Sequence, residues 1–212
     1  MNLRDDPAPV LETPFGILAH GGHWYFISRE QIETYTPGLL EIHPLEKLLR
    51  IADRWIQSSA TISLLVFILL SLLKFEAFIS FTAAILAFFF WSSFKTGFIT
   101  VGSSYVINII GSTPFIYLST GICLSWLGMR GFHLEVLLGL ILFFLTKFPL
   151  LKKIRDWVNI KLKGSGYVSE EDRVFNMILV RYGMAEGILT REVRELENQL
   201  FDLIHYNRKK KK

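Results

Sequence analysis

The chain has 212 residues, a formal net charge of +4 and 51% hydrophobic residues, with 18 Phe among them. Residues 57–146 carry few charged side chains: Lys74, Glu76, Lys95, Arg130 and Glu135. A water-soluble domain spreads charge over all of its surface elements, so this segregation argues against an ordinary soluble fold. It predicts an all-α integral membrane protein instead.

The N-terminal segment, residues 1–56, is predicted to form a small cytoplasmic module. Two strand-like runs, 15–19 and 24–28, flank a Gly-Gly pair, and such a pair favours the tight turn of a β-hairpin. Ser28 and Gln31 have the spacing of a helix capping box, which predicts a short helix through Tyr35.

A juxtamembrane helix is predicted to follow Pro44, a residue that favours the first turn of a helix. Apolar residues recur at helical spacing from Leu45 to Ile56, and charged residues fall on the other face. This pattern is typical of an amphipathic helix that leads into a bilayer.

Residues 57–151 are predicted to form the transmembrane region, with about four transmembrane helices. The segments that are long and apolar enough for spans lie near 58–73, 75–91, 114–129 and 134–151. The intervening segment 97–112 is rich in Gly, Ser and Thr and precedes Pro114. We expect that segment to be an amphipathic or re-entrant helix.

The distribution of Lys and Arg predicts the topology of this multi-pass protein. Basic residues concentrate before the first span and after the last one, whereas the proposed outer loops contain Lys74 and Arg130 alone. Cytoplasmic loops carry such an excess of basic residues, so both termini are expected in the cytoplasm, which requires an even number of crossings. A bacterial inner membrane fits this pattern better than a eukaryotic endomembrane.

The C-terminal segment, residues 152–212, is predicted to contain a cytoplasmic pair of helices and a polybasic tail. Ser169 is expected to cap the first helix, and Gly183 and Gly187 to mark its end. The apolar face of this helix is predicted at Phe175, Ile178, Leu179 and Tyr182. The second helix carries apolar residues at coiled-coil spacing, which indicates oligomerisation: Val193, Leu196, Leu200 and Leu203.

Two residue patterns are candidates for function. His20 and His23 have a spacing that metal ligands use, although neither a Cys nor an acidic residue accompanies them at a ligand-like interval. Thr100, Ser104, Asn108 and Gly111 fall on one face if 97–112 is helical. This polar stripe could line a pore in an oligomer, contact the cytosol, or bond across a helix interface.

The sequence favours a non-catalytic membrane protein, an accessory or scaffold subunit of a membrane complex. The alternative is an oligomeric channel or passive transporter that uses the polar face of 97–112. An enzyme would need a base from His43, His133 or Glu135, and the apolar block offers no nucleophile with a base beside it. Expected partners are the lipid bilayer and either other proteins or a homo-oligomer. We expect no cofactor, no metal and no nucleic acid.

Overall fold

The computed structural model describes residues 11–19, 22–148, 150–163 and 168–188, together with Glu195 and Asp202. Most of the chain is helical, as predicted, and three short strands precede the helices. The strands are β1 (Leu11–Thr13), β2 (Gly16–Leu18) and β3 (Trp24–Tyr25). The helices are α1 (Arg29–Tyr35), α2 (Leu39–Ile42), α3 (Leu45–Leu72), α4 (Ala77–Phe94), α5 (Val101–Ile110), α6 (Thr113–Met129), α7 (His133–Lys147), α8 (Leu150–Lys163) and α9 (Glu170–Ala185), with a 3-10 turn at Lys95–Phe98.

Tertiary contacts divide the chain into two units. The first unit contains residues 1–53, 96–104 and 168–212, and the second unit contains residues 54–95 and 105–167. The first unit therefore combines segments from both ends of the sequence, whereas the apolar block supplies most of the second unit.

The sheet of the first unit contains the predicted hairpin and one additional strand. β2 pairs antiparallel with both β1 and β3, and Ile17 lies opposite Tyr25. Both of these side chains are fully buried. Gly16 opens β2 where a Cβ atom would overlap the carbonyl oxygen of Tyr25, so the close approach of the two strands requires glycine there.

The capping box predicted at the start of α1 is confirmed. The Ser28 hydroxyl accepts a hydrogen bond from the Gln31 amide at 3.3 Å, and the Gln31 side chain accepts one from the Ser28 amide at 2.9 Å. Each bond satisfies a backbone N–H that the first turn of a helix otherwise leaves without an intrahelical partner. Helix α1 then buries Ile32 in the core of the first unit.

Helix α9 begins at the predicted cap and ends at Ala185, between the two glycines predicted to mark its end. The Ser169 hydroxyl caps it by accepting a bond from the Asp172 amide at 3.2 Å. The predicted apolar face is buried: Phe175, Ile178, Leu179 and Tyr182. Gly183 lies in the last turn of the helix, where one glycine costs only about 1 kcal/mol and packing of this buried face offsets that cost. Gly187 follows the helix with a φ of 67°, a conformation common just beyond helix ends.

Helix α3 joins the predicted juxtamembrane helix and the first predicted span in one continuous element. Its 28 residues correspond to a length of about 42 Å, which exceeds the bilayer hydrocarbon thickness of about 30 Å. Only residues 73–76 connect α3 to α4, which agrees with the short gap between the predicted spans near 58–73 and 75–91.

The core of the second unit lies between α3, α4 and α7. It consists of the buried side chains Leu64, Phe67, Ile68, Ala77, Ala84, Leu138 and Leu142. Gly139 permits close packing of α7, since a Cβ atom there would lie 2.5 Å from Cδ2 of Leu124 and 3.0 Å from Cε1 of Phe67. Large apolar side chains also cover the outer surface of this unit, among them Phe78, Ile79, Leu86, Phe90, Leu118, Ile122 and Leu137.

The described residues provide two to four helical segments that are long and apolar enough to cross a membrane. α3 and the continuous segment Ala77–Phe98 each meet this requirement alone. Two further segments meet it only if each bent pair of helices forms one span. α5 and α6 are bent by 52° at residues 111–112, and α7 and α8 are bent by 58°.

Candidate functional site

Polar side chains from β3, α3 and α9 meet in the first unit. We call this group the terminal cluster: His23, Tyr25, Asp53, Glu171 and Asp172. The imidazole of His23 lies 3.4 Å from a Glu171 carboxylate oxygen and 4.0 Å from an Asp53 carboxylate oxygen. The Tyr25 hydroxyl donates to Asp53 at 3.0 Å. A protonated His23 would therefore be attracted to carboxylates on two different helices.

Asp172 joins the hairpin segment, residues 16–28, to the start of α9. Its side chain is 2% exposed, and one carboxylate oxygen accepts the Phe26 amide at 2.8 Å. The other oxygen accepts the Ser169 hydroxyl at 2.5 Å. Both bonds are charge-assisted, and the N-terminus of a helix favours a negative charge at this position. The buried carboxylate thus links segments 146 residues apart in the sequence.

Tyr25 stays protonated in this environment. Burial raises the pKa of its hydroxyl well above the ordinary value, and the adjacent Asp53 carboxylate raises it further. Tyr25 therefore acts as a hydrogen-bond donor at neutral pH, and its ring packs against Phe175 of α9 with 4.9 Å between ring centroids.

A second set of contacts joins the connection between α2 and α3 to the end of α9. Nε2 of His43 lies 2.8 Å from a carboxylate oxygen of Glu186. The His43 ring also meets Tyr182 edge-on, with 5.0 Å between centroids. Helix α9 is thus held against the N-terminal segment at both of its ends.

The metal pair predicted at His20 and His23 cannot be assembled from the described part of the chain, because His20 lies outside it. Within that part, no group of three His, Cys, Asp or Glu side chains is arranged to hold a metal ion. Glu171 and Asp53 are the ionic neighbours of His23, and both come from distant segments that the sequence spacing did not indicate.

The second unit contains a buried lysine at the end of α4. Lys95 is 0% exposed, and its ammonium group donates to the Ser59 hydroxyl at 2.9 Å and to the Ile56 carbonyl at 3.4 Å. One turn earlier, the Trp91 indole donates to the Ser58 hydroxyl at 2.7 Å. These bonds supply oxygen acceptors to groups that would otherwise lie in apolar surroundings.

Arg155 forms a similar anchor between α8 and α4. Its side chain is 4% exposed, its guanidinium donates to the Ser92 hydroxyl, and it pairs with Asp156 at 2.7 Å. The bond to Ser92 fixes α8 against α4 within the second unit.

The predicted polar stripe at 97–112 is not uniformly exposed. Ser104 is buried, and its hydroxyl donates to the Thr100 carbonyl at 2.7 Å. Gly111 is buried against the backbone of Arg54, whereas Thr100 and Asn108 are exposed. Ser104 and Gly111 therefore face protein, and the two remaining members face outward.

A groove of about 440 Å³ opens between α6 and α7 in the second unit. Its lining is uncharged and consists of Tyr117, Thr120, Gly121, Leu124, Ser125, Gly128, Val136, Leu140 and Phe143. Such a surface suits an apolar chain rather than an ion.

The sequence did not indicate the burial of Glu171, Asp172 or Lys95. Acidic residues after Ser169 are expected in the first turn of an exposed helix, and Lys95 is expected at an exposed span end. The predicted oligomerisation residues lie outside the described part: Val193, Leu196, Leu200 and Leu203.

A comparison of the chain with models of protein families, with curated proteins and with solved structures finds no match.

Proposed function

We propose that this chain is a non-catalytic, multi-pass integral membrane protein that acts as an accessory or scaffold subunit of a membrane complex. In this proposal the second unit crosses the bilayer four times. The first unit then lies on the cytoplasmic side and offers the surface that partner proteins bind.

Membrane insertion is supported by the outer surface of the second unit. Leu86 on α4 is 63% exposed and Leu118 on α6 is 66% exposed, and both lie among further exposed apolar side chains. In water such a surface would promote aggregation, whereas lipid chains can cover it at no free-energy cost from exposed apolar area. Lys95 and Arg155, the buried cations of this unit, are hydrogen-bonded to serines, as ionisable groups near a bilayer require.

The single observation that carries the scaffold proposal is the bond between the Phe26 amide and Asp172 at 2.8 Å. Because it ties Phe26 to α9, this bond supports placing these two segments on the same side of a membrane. Four crossings, an even number, agree with that placement. The resulting module is held by ionic and backbone bonds at both ends of α9, an arrangement suited to presenting a fixed surface.

Native mass spectrometry of the full chain, extracted from its own membrane in mild detergent, tests the proposal. We expect masses that include other polypeptides, and we expect Asp172→Ala to release them. Glu30→Ala is the matched control, since Glu30 is an exposed acidic residue in the first turn of α1. A monomer without partners in the wild type would contradict the scaffold proposal.

The alternative, an oligomeric channel or passive transporter lined by 97–112, has one supporting observation. Asn108 is exposed on α5 and could line water in an oligomer. Ser104 and Gly111 give it less support, because both are buried. A closed homo-oligomer in the same mass spectra, combined with labelling of Asn108→Cys by a water-soluble thiol reagent, would favour the channel over the scaffold.

A further inference from the structure

Helix α8 presents an apolar stripe to its surroundings. We define the α8 stripe as Leu150, Ile154, Trp157 and Val158, whose spacing places them on one side of the helix. Leu150 is 47% exposed, Ile154 is 45%, Trp157 is 63% and Val158 is 38% exposed. A tryptophan with that much exposed surface needs an explanation.

The buried side of α8, which adjoins this stripe, fixes the direction in which the stripe points. Leu151 is 5% exposed and Arg155 is 4% exposed, so both are buried within the second unit. The Arg155 guanidinium donates to Ser92 of α4 and pairs with Asp156. Helix α8 cannot rotate to bury its stripe without breaking these contacts.

Two exposed lysines flank the stripe. Lys153 and Lys161 lie one helical turn before and one turn after Trp157, on the same side of α8. Tryptophan and lysine together are typical of helices that lie at a membrane interface, where the ring enters the headgroup region and the ammonium meets phosphate.

The position of α8 along the chain agrees with this chemistry. Only two residues separate its start at Leu150 from the end of α7 at Lys147, and the two helices are bent by 58°. If α7 crosses the bilayer, α8 begins at the bilayer surface and departs from the direction of the span.

We propose that α8 lies in the membrane interface and binds anionic phospholipid. The α8 stripe enters the upper acyl region, and Lys153 and Lys161 contact lipid phosphates. Lipid is favoured over a protein partner because the cations flank the exposed tryptophan on the side that faces away from the unit. This inference rests on the proposed function and takes α7 alone as the fourth crossing. Its 15 residues correspond to about 22 Å of helix, so the bilayer must thin locally around it.

Depth-dependent quenching in vesicles tests the proposal. The full chain, with Cys123→Ala, is reconstituted in phosphatidylcholine with or without phosphatidylglycerol. An environment-sensitive fluorophore is attached at Ile154→Cys, at Asn159→Cys on the other side of α8, or at Leu86→Cys on α4. We expect lipids with brominated acyl chains to quench the first and third labels but not the second.

Charge variants test the lipid class. Each basic residue near the surface changes binding by about fivefold, so K153Q/K161Q should weaken the insertion of α8 by roughly 25-fold. Omitting phosphatidylglycerol should have a similar effect. Lys74→Gln, in the exposed turn between α3 and α4, is the matched control and should leave the Ile154→Cys signal unchanged.

Each failure has a separate meaning. Quenching of Leu86→Cys without quenching of Ile154→Cys would overturn the interfacial assignment and leave the membrane proposal intact. Absence of quenching at Leu86→Cys would overturn the proposed function itself. Equal quenching of Ile154→Cys in both lipid mixtures and in the lysine variant would overturn the recognition of anionic lipid.

Discussion

Asp172 is the residue whose removal should loosen the first unit most specifically. Asp172→Ala deletes the acceptor of the Phe26 amide at 2.8 Å and of the Ser169 hydroxyl at 2.5 Å. Losing a hydrogen bond to a charged group costs about 1.5–3 kcal/mol, and losing the charge in the first turn of α9 adds about 0.3–1 kcal/mol. We therefore expect the free energy of opening to fall by about 2–4 kcal/mol.

Amide hydrogen exchange of the full chain in detergent measures this change directly. A loss of about 2–4 kcal/mol accelerates exchange of the Phe26 amide by roughly thirtyfold to several-hundredfold, when exchange reports the opening equilibrium. Glu30→Ala, which removes an exposed carboxylate from α1, should change exchange by less than about threefold. Equal exchange in the wild type and Asp172→Ala would refute the assignment of Asp172 as the link between the hairpin segment and α9.

Two further substitutions test other parts of the account. Gly111→Ala should destabilise the second unit by about 1–3 kcal/mol, because the added Cβ would overlap the Arg54 carbonyl oxygen. Gly121→Ala is the control, since a Cβ atom at Gly121 would enter open space. Thermal unfolding followed by Trp fluorescence compares the two variants. Tyr25→Phe should remove an alkaline loss of stability. The folded state raises the pKa of Tyr25, so the stability that its hydroxyl contributes is complete below about pH 10 and is lost as pH rises further. Melting temperatures measured from about pH 8 to about pH 11 should therefore fall less steeply in Tyr25→Phe than in the wild type.

Local features of the fold could be predicted from the sequence because their causes are local. The Ser28–Gln31 capping box and the Ser169 cap depend on residues three positions apart, and both are present. The apolar face of α9 follows from helical periodicity in the same way. The end of α9 at Ala185 likewise falls between Gly183 and Gly187, as the two glycines indicated.

Contacts between distant segments could not be predicted from one sequence. Nothing in the neighbourhood of Asp53 or Glu171 indicates that both will lie beside His23. Composition divided the sequence into the regions 1–56, 57–151 and 152–212. That division did not indicate that the N-terminal and C-terminal regions would contact each other. Helical periodicity grouped Ser104 with Gly111, but it could not tell whether their side would face protein or water.

A multi-pass scaffold whose two ends form one module requires each segment to occupy a defined side of the membrane. Single cysteines at Glu30→Cys, Met184→Cys and Lys74→Cys, in a Cys123→Ala background, can be labelled in sealed vesicles with a membrane-impermeant thiol reagent. We predict that the first two react from the same side and that Lys74→Cys reacts from the opposite side. Reaction of Glu30→Cys and Met184→Cys from opposite sides, or of all three from one side, would contradict a multi-pass scaffold whose two ends form one module.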